Sequence, residues 1–221
     1  MRGRIHLRYR VTGSKRNADG ALMMAKQTAS NTIGPFFHHI VTAEDHDLDR
    51  IAGSRMAGKK TKGEKIKVEG HILDSEGKPL RAAMLEIWQA NAAGRYNSTM
   101  DARDDVKIDK SFTGFGRVSS GDKGKFEFET IKPGAVPSSG NALQAPHINL
   151  TLFAAAIHSH LFTRLYFSDE TEANDIDPVL TSVGEDRRGT LIAKRKKTKN
   201  GIVYRFDVKL GGDGETVFFD V

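Results

Sequence analysis

The sequence predicts an all-β protein, a β-sandwich of mixed strands with long loops and one short helix near 185–195. Three observations carry this. From Lys65 onward, short runs alternate apolar and polar residues with period two, the pattern of a half-buried strand. Clusters of Gly, Asp, Ser and Pro that suit tight turns separate those runs. One segment alone carries helix signals, and many short strands with Gly-rich turns favour a two-layer sandwich.

A chain of 221 residues fits one domain and is long enough to bury a sizeable core. It has no run of about 18 apolar residues, so no membrane partner is expected. The segment Met1–Arg10 is basic but lacks the apolar stretch of a secretory signal, and a cytoplasmic location is expected. The absence of cysteine excludes disulfides, thiolate metal sites and cysteine nucleophiles. The formal charge of +6 is concentrated in residues 1–26 and in Lys194–Lys199. Both read as solvated segments, a tail and a turn. No nucleic-acid partner is expected, because neither is a basic face interleaved with aromatics on folded elements.

Residues 1–26 show no periodicity and read as a disordered basic extension, with Met23 and Met24 suited to an alternative translation start. The domain proper spans 27–221 and includes an N-terminal arm, 27–40, in which Gly34 and Pro35 precede Phe36 and Phe37. His38 and His39 are neighbours on an extended chain and face opposite ways, so they do not share a metal. Ile66–Leu73 alternates and ends at the turn cluster Asp74–Pro79. Ala83–Ala90 places Leu85 and Ile87 on one face and Trp88 on the other. Asn91–Arg95 is a turn that delivers Tyr96, and Gly121–Gly124 is a hairpin signal before Lys125–Thr130. In the strand His147–Phe153, His147, Asn149 and Thr151 share one face and Ile148, Leu150 and Leu152 the other. Leu161–Phe167 and Val203–Leu210 are further strands. Glu185–Arg195 is the helix, acidic at its start and basic at its end.

A histidine two residues from a second donor on one strand is a geometry that can grip a metal, but here the second position is Asn149. The only His-x-His, His158-Ser159-His160, lies at an expected turn without accompanying carboxylates and reads as solvated.

The chain resembles the intradiol ring-cleavage dioxygenases, and within them the alpha subunits of the members that cleave protocatechuate. The matching stretches include Gln27–Phe37, Leu85–Tyr96, Phe112–Arg117, Ile131–Gly134, Ala145–Asn149, Thr163–Glu170, Tyr204–Asp207 and Gly214–Asp220, collinear over nearly all of 27–221. The resemblance implies oxygen-dependent cleavage of protocatechuate to 3-carboxy-cis,cis-muconate. It also implies a hetero-oligomer with a like-folded beta subunit that holds Fe(III) through two tyrosines and two histidines. Of those four positions this chain keeps Tyr96 and His147, and has Val136 and Asn149 at the other two. Gln144 stands where the iron-bearing subunit carries arginine. The metal is therefore expected in the partner, with no catalytic residue in this chain alone.

By the same resemblance, Thr32, Gly34, Pro35 and Phe36 line the partner's pocket for the aromatic acid. Phe36 replaces a frequent tyrosine, and Ala155 replaces a frequent arginine. Two other readings stay open: a self-sufficient dioxygenase with altered iron ligands, and a non-catalytic β-sandwich binding module.

Overall fold

The computed structural model describes residues 52–154, 157 and 159–220, together with the backbone of 5–6. The arm residues Thr32, Gly34, Pro35 and Phe36, the pair His38-His39, Ala155 and His158 lie outside the described residues. So does the extension 1–26, apart from the short strand β1 (Ile5–His6).

The strands that follow are β2 (Lys65–Leu73), β3 (Ala83–Trp88), β4 (Phe115–Ser119) and β5 (Lys125–Ile131). Then come the short β6 (Val136–Pro137) and β7 (Leu143–Gln144), and the long β8 (His147–Ala154) and β9 (Leu161–Phe167). Two short helices, α1 (Thr171–Ile176) and α2 (Glu185–Arg188), precede β10 (Ile192–Thr198), β11 (Gly201–Arg205), β12 (Val208–Lys209) and β13 (Phe219–Asp220). The protein is all-β. In one layer β4, β3, β8 and β9 run antiparallel in that order, with β13 against β9. In the other, β2 lies between β5 and β11, and β12 extends its far end. Strand β10 joins the layers: Ile192 and Ala193 pair with Tyr166 and Phe167 of β9, while Lys194–Thr198 pair with β11.

The alternation seen in the sequence sets what each layer buries. Ile66, Val68 and Ile72 of β2, with Phe126 and Phe128 of β5, meet Leu85, Ile87, Ile148, Leu150, Leu152 and Leu165 in one core. Each such side chain contributes about 1.5–3 kcal/mol when fully buried. With these residues turned inward, pleating turns Trp88, Asn149, Thr151 and Arg164 to the opposite face of the β3–β8–β9 layer. There a smaller core of Tyr166, Val179, Leu180, Leu191 and Val217 packs beneath the segment after α1.

Three expectations are corrected. The helix over 185–195 ends at Arg188, and after the 3-10 turn Gly189–Leu191 the chain becomes β10. Leu191 and Ala193 are both fully buried, a spacing that serves a strand, and the backbone at Ile192 and Ala193 is taken by β9. The basic run Lys194–Lys197 is accordingly strand with exposed side chains, and only Lys199 falls in the turn to β11. The Gly121–Gly124 turn forms, closed by the Gly121 amide donating to the Lys125 carbonyl at 2.9 Å. It does not make a hairpin: β4 pairs with β3 and β5 with β2, so the turn carries the chain from one layer to the other.

Candidate active site

Two crossing loops and three adjacent strands build the site. In the loop after β3, the Asn91 side-chain oxygen accepts from the amides of Ala93 (2.9 Å) and Arg95 (3.0 Å). This is the local competition with regular structure that Asn favours in turns. Gly94 has φ +78°, and a Cβ there would lie 1.9 Å from the Ala135 carbonyl oxygen. A Cβ on Gly134 would lie 2.6 Å from both the Ala92 carbonyl oxygen and the Gly94 nitrogen. Two glycines thus let one backbone lie directly on the other, which brings Tyr96 and Val136 to the same cleft.

Tyr96 is held from three sides. Its amide donates to Asp101 Oδ2 at 2.9 Å, and its ring stacks on Trp88 with centroids 5.5 Å apart and planes at 19°. Arg103 braces the loop through two hydrogen bonds to Asp101 (2.8 and 2.6 Å) and one to the Gly94 carbonyl (2.6 Å). The Arg103 guanidinium holds the Asp101 carboxyl down at about 2.

Strand register supplies the rest. Trp88 pairs with Asn149, and Asn149 with Arg164, so the three form one row across β3, β8 and β9. His147 pairs with Tyr166 in the next row. The His147 Nδ1–H donates to the Ala145 carbonyl at 2.8 Å, which leaves the Nε2 lone pair facing the Tyr96 hydroxyl at 3.4 Å. Asn149 Nδ2 donates to the Tyr96 hydroxyl (3.2 Å) and to the Trp88 carbonyl (3.3 Å). Val136, Gln144, Phe162 and Arg164 are also among the residues lining an open cleft of about 870 Å3. Arg164 donates to Gln144 Oε1 at 2.7 Å.

Burial, reinforced by the Arg164 charge, lowers His147 from its ordinary 6.5 to about 3. The folded protein therefore binds fewer protons here than the unfolded chain. The stability from a neutral His147 is fully present above about 6.5 and is lost as pH falls toward 3, by up to about 1.4 kcal/mol per unit. Urea unfolding at pH 7.0, 5.5 and 4.5 should show this slope in the wild type and a shallower one in His147→Gln. Equal slopes would remove the assignment to His147.

The structure brings together Tyr96, Val136, His147 and Asn149, which the sequence marked, and places Gln144 beside them. His160 is elsewhere, packed edge-on against Phe162 with centroids 4.7 Å apart. Sequence reasoning missed Arg164, Arg103 and Asp177 as parts of the arrangement. Alternation placed Arg164 on the face of Phe162 and Tyr166, but its register with Asn149 left no sequence signal. Asp101-x-Arg103 lies in a polar loop with nothing to distinguish it.

The four positions do not fit a ferric ion. Val136 has no donor atom, and Asn149 directs its amide nitrogen, a donor, at Tyr96. The two remaining ligand types, the Tyr96 hydroxyl and His147 Nε2, face each other in a hydrogen bond. A hard, highly charged cation needs more anionic oxygen than the single phenol of this set supplies.

The sandwich and the cleft at the meeting of its loops define a class. A family model described as dioxygenase matches residues 32–212, and the chain belongs to the intradiol ring-cleaving dioxygenase family. More particularly, it is 42% identical over 201 residues to the protocatechuate 3,4-dioxygenase alpha chain of Burkholderia cepacia, covering 89% of this chain and 98% of that one. The beta chain of the same name and organism is 38% identical over 178 residues, 78% of this chain and 74% of that one. Among solved structures, the dioxygenase domain of a dioxygenase–carbohydrate-binding fusion from Streptomyces sp. SirexAA-E superimposes with a TM-score of 0.54. It is 25% identical and covers 73% of this chain and 88% of that one. Among the described residues, no helix is long and apolar enough to cross a membrane.

Proposed function

We propose that this chain is the iron-free, alpha-type subunit of a protocatechuate dioxygenase and that a like-folded beta-type subunit holds the ferric ion. One observation carries the reading: Val136 and Asn149 stand at two of the four family ligand positions while the strands and loops that position them are kept. The family's alpha and beta chains, both similar to this one, support a hetero-oligomer.

The reaction joins protocatechuate and O2 and incorporates both oxygen atoms, giving 3-carboxy-cis,cis-muconate. This chain's part is positioning and water exclusion. On this reading the arm residues Thr32, Gly34, Pro35 and Phe36 border the aromatic acid in the partner's pocket. Loss of the arm should then raise KM more than it lowers kcat.

The test is iron content and oxygen uptake for the chain alone and after co-expression with a beta-type subunit. The chain alone should carry far less than one iron and leave protocatechuate untouched. The complex should consume one O2 per protocatechuate. An iron-loaded, active chain on its own would favour a self-sufficient enzyme. No complex and no turnover would favour a binding module.

A further inference from the structure

Away from the cleft, the tip of the β10–β11 hairpin carries the only Asn-Gly pair in the chain, Asn200-Gly201. Lys199 and Asn200 form a two-residue turn between the paired residues Thr198 and Gly201. The Thr198 hydroxyl accepts from the Asn200 backbone amide at 3.2 Å and donates to the Gly201 carbonyl at 2.9 Å. The turn is thus held without help from the Asn200 side chain. The carboxamides of Asn91, Asn97, Asn149 and Asn174 each donate to a backbone carbonyl. That of the exposed Asn200 has no hydrogen-bond partner among the described residues. Gly201 is exposed as well, with φ +121°, and a Cβ built on it would meet nothing within 4 Å. The flanking Lys197 and Lys199 are exposed and form no ion pair among the described residues.

We propose that Asn200 is a site of spontaneous deamidation in the folded protein. The Gly201 nitrogen gives up its proton to water or hydroxide and attacks Asn200 Cγ. A carbon–nitrogen bond forms, the bond to the side-chain nitrogen breaks, and that nitrogen takes a proton and leaves as ammonia. The five-membered imide then adds water at either carbonyl and opens to aspartate or to iso-aspartate. Glycine leaves the attacking nitrogen without a Cβ beside it. The two lysine charges favour both the deprotonated amide and the oxyanion formed on attack. Asn141 is the internal comparison: it too is exposed, in a turn and without a side-chain hydrogen bond among the described residues, but alanine follows it. The product places a carboxylate in the run Lys194–Lys199 and lowers the formal charge of +6 by one. Iso-aspartate also lengthens the backbone within a two-residue turn. Because β10 is anchored to β9 at Ile192 and Ala193, and β11 to β2 from Ile202 to Arg205, the change loosens the tip and leaves the sandwich standing. The reaction needs only water and this chain, so it is independent of the subunit reading.

The test is incubation of the folded, full-length chain at pH 7.0 and 8.5, followed by digestion at mildly acidic pH and peptide mass spectrometry. The peptide that holds Asn200 should gain the mass difference between amide and acid and split into two products of equal mass. Isoelectric focusing of the intact chain should show a matching acidic form. Conversion should be faster at pH 8.5, where more of the attacking amide is deprotonated, and about tenfold or more faster at Asn200 than at Asn141. Asn200→Gln keeps the carboxamide but requires a six-membered ring, and should hold its charge through the same incubation. The proposal is overturned if Asn200 stays intact in the folded chain, if Asn141 keeps pace with it, or if Asn200→Gln acidifies as fast as the wild type. The peptide comparison of Asn200 with Asn141 needs only the wild type and decides the matter if the variant does not fold.

Discussion

A Val136→Tyr/Asn149→His chain should bind close to one ferric ion and become coloured, where the wild-type chain binds little. The change adds two donors, a phenol and an imidazole, at the two positions that now offer none to a cation. Tyr96 and His147 already face each other across 3.4 Å, a separation that a shared cation can occupy once the hydrogen bond gives way. Two phenolates would then offset most of the ion's charge and two imidazoles would complete the set. Val136 lines the cleft, so a larger side chain there has that cavity to enter. Each single substitution leaves only three donors and should hold iron weakly. The Arg164 field that disfavours a proton on His147 also disfavours a cation, so adding Arg164→Gln should tighten the metal. The readouts are iron per chain and a visible phenolate-to-iron absorption band. A folded double variant that stays colourless and iron-free would show that the loops no longer hold these positions at ligand distance.

The largest stability loss is expected at Asp177. This residue is fully buried, and its Oδ1 accepts from the Tyr166 hydroxyl (3.0 Å) and the amides of Val179 (2.9 Å) and Leu180 (2.7 Å). Oδ2 accepts from the Ala145 amide at 2.7 Å. One carboxyl thus ties the entrance of β8, the outward side chain of β9 and the segment after α1. Asp177→Ala leaves these buried donors unmatched, at about 1–3 kcal/mol for each group that finds no water. With partial relaxation the total is about 3–5 kcal/mol, a drop in Tm on the order of 10 °C for a domain of this size. Asp177→Asn keeps one acceptor oxygen and should lose roughly half as much. Because Ala145 is the carbonyl partner of His147, the Ala variant should also loosen His147 and flatten the acid dependence of stability. Thermal and urea unfolding measure all three effects. A loss below about 1 kcal/mol in Asp177→Ala would mean that water replaces the carboxyl in full.

Much of the fold was legible because period-two alternation reports directly which side chains a strand buries. The turn at Asp74–Pro79 was legible for a similar local reason: Asp74 Oδ1 accepts from the amides of Glu76 and Lys78, both at 2.9 Å. The helix at 185–195 failed because capping and charge signals describe only local preference. Strand pairing with β9 and β11 outweighed them from Ile192 onward. The two-residue turn Lys199-Asn200, between the paired residues Thr198 and Gly201, joins β10 to β11. The supposed β4–β5 hairpin failed for the opposite reason. Its turn chemistry was read correctly, but β5 takes its backbone partners from β2, where Phe126 and Phe128 join the core.

The sequence by itself determined the alternating faces of the long strands, the turns at Asn, Asp and Gly, and the identities Tyr96, Val136, His147 and Asn149 that mark the cleft. Those features depend on the geometry of a few consecutive residues. The tertiary structure alone decided that Trp88, Asn149 and Arg164 form one row, that Gly94 lies on Ala135, and that Asp177 closes the floor beneath Ala145 and Tyr166. Each of these joins segments far apart in the chain. Their register is chosen by the common core of both layers, because a shift of one residue would turn every buried side chain outward.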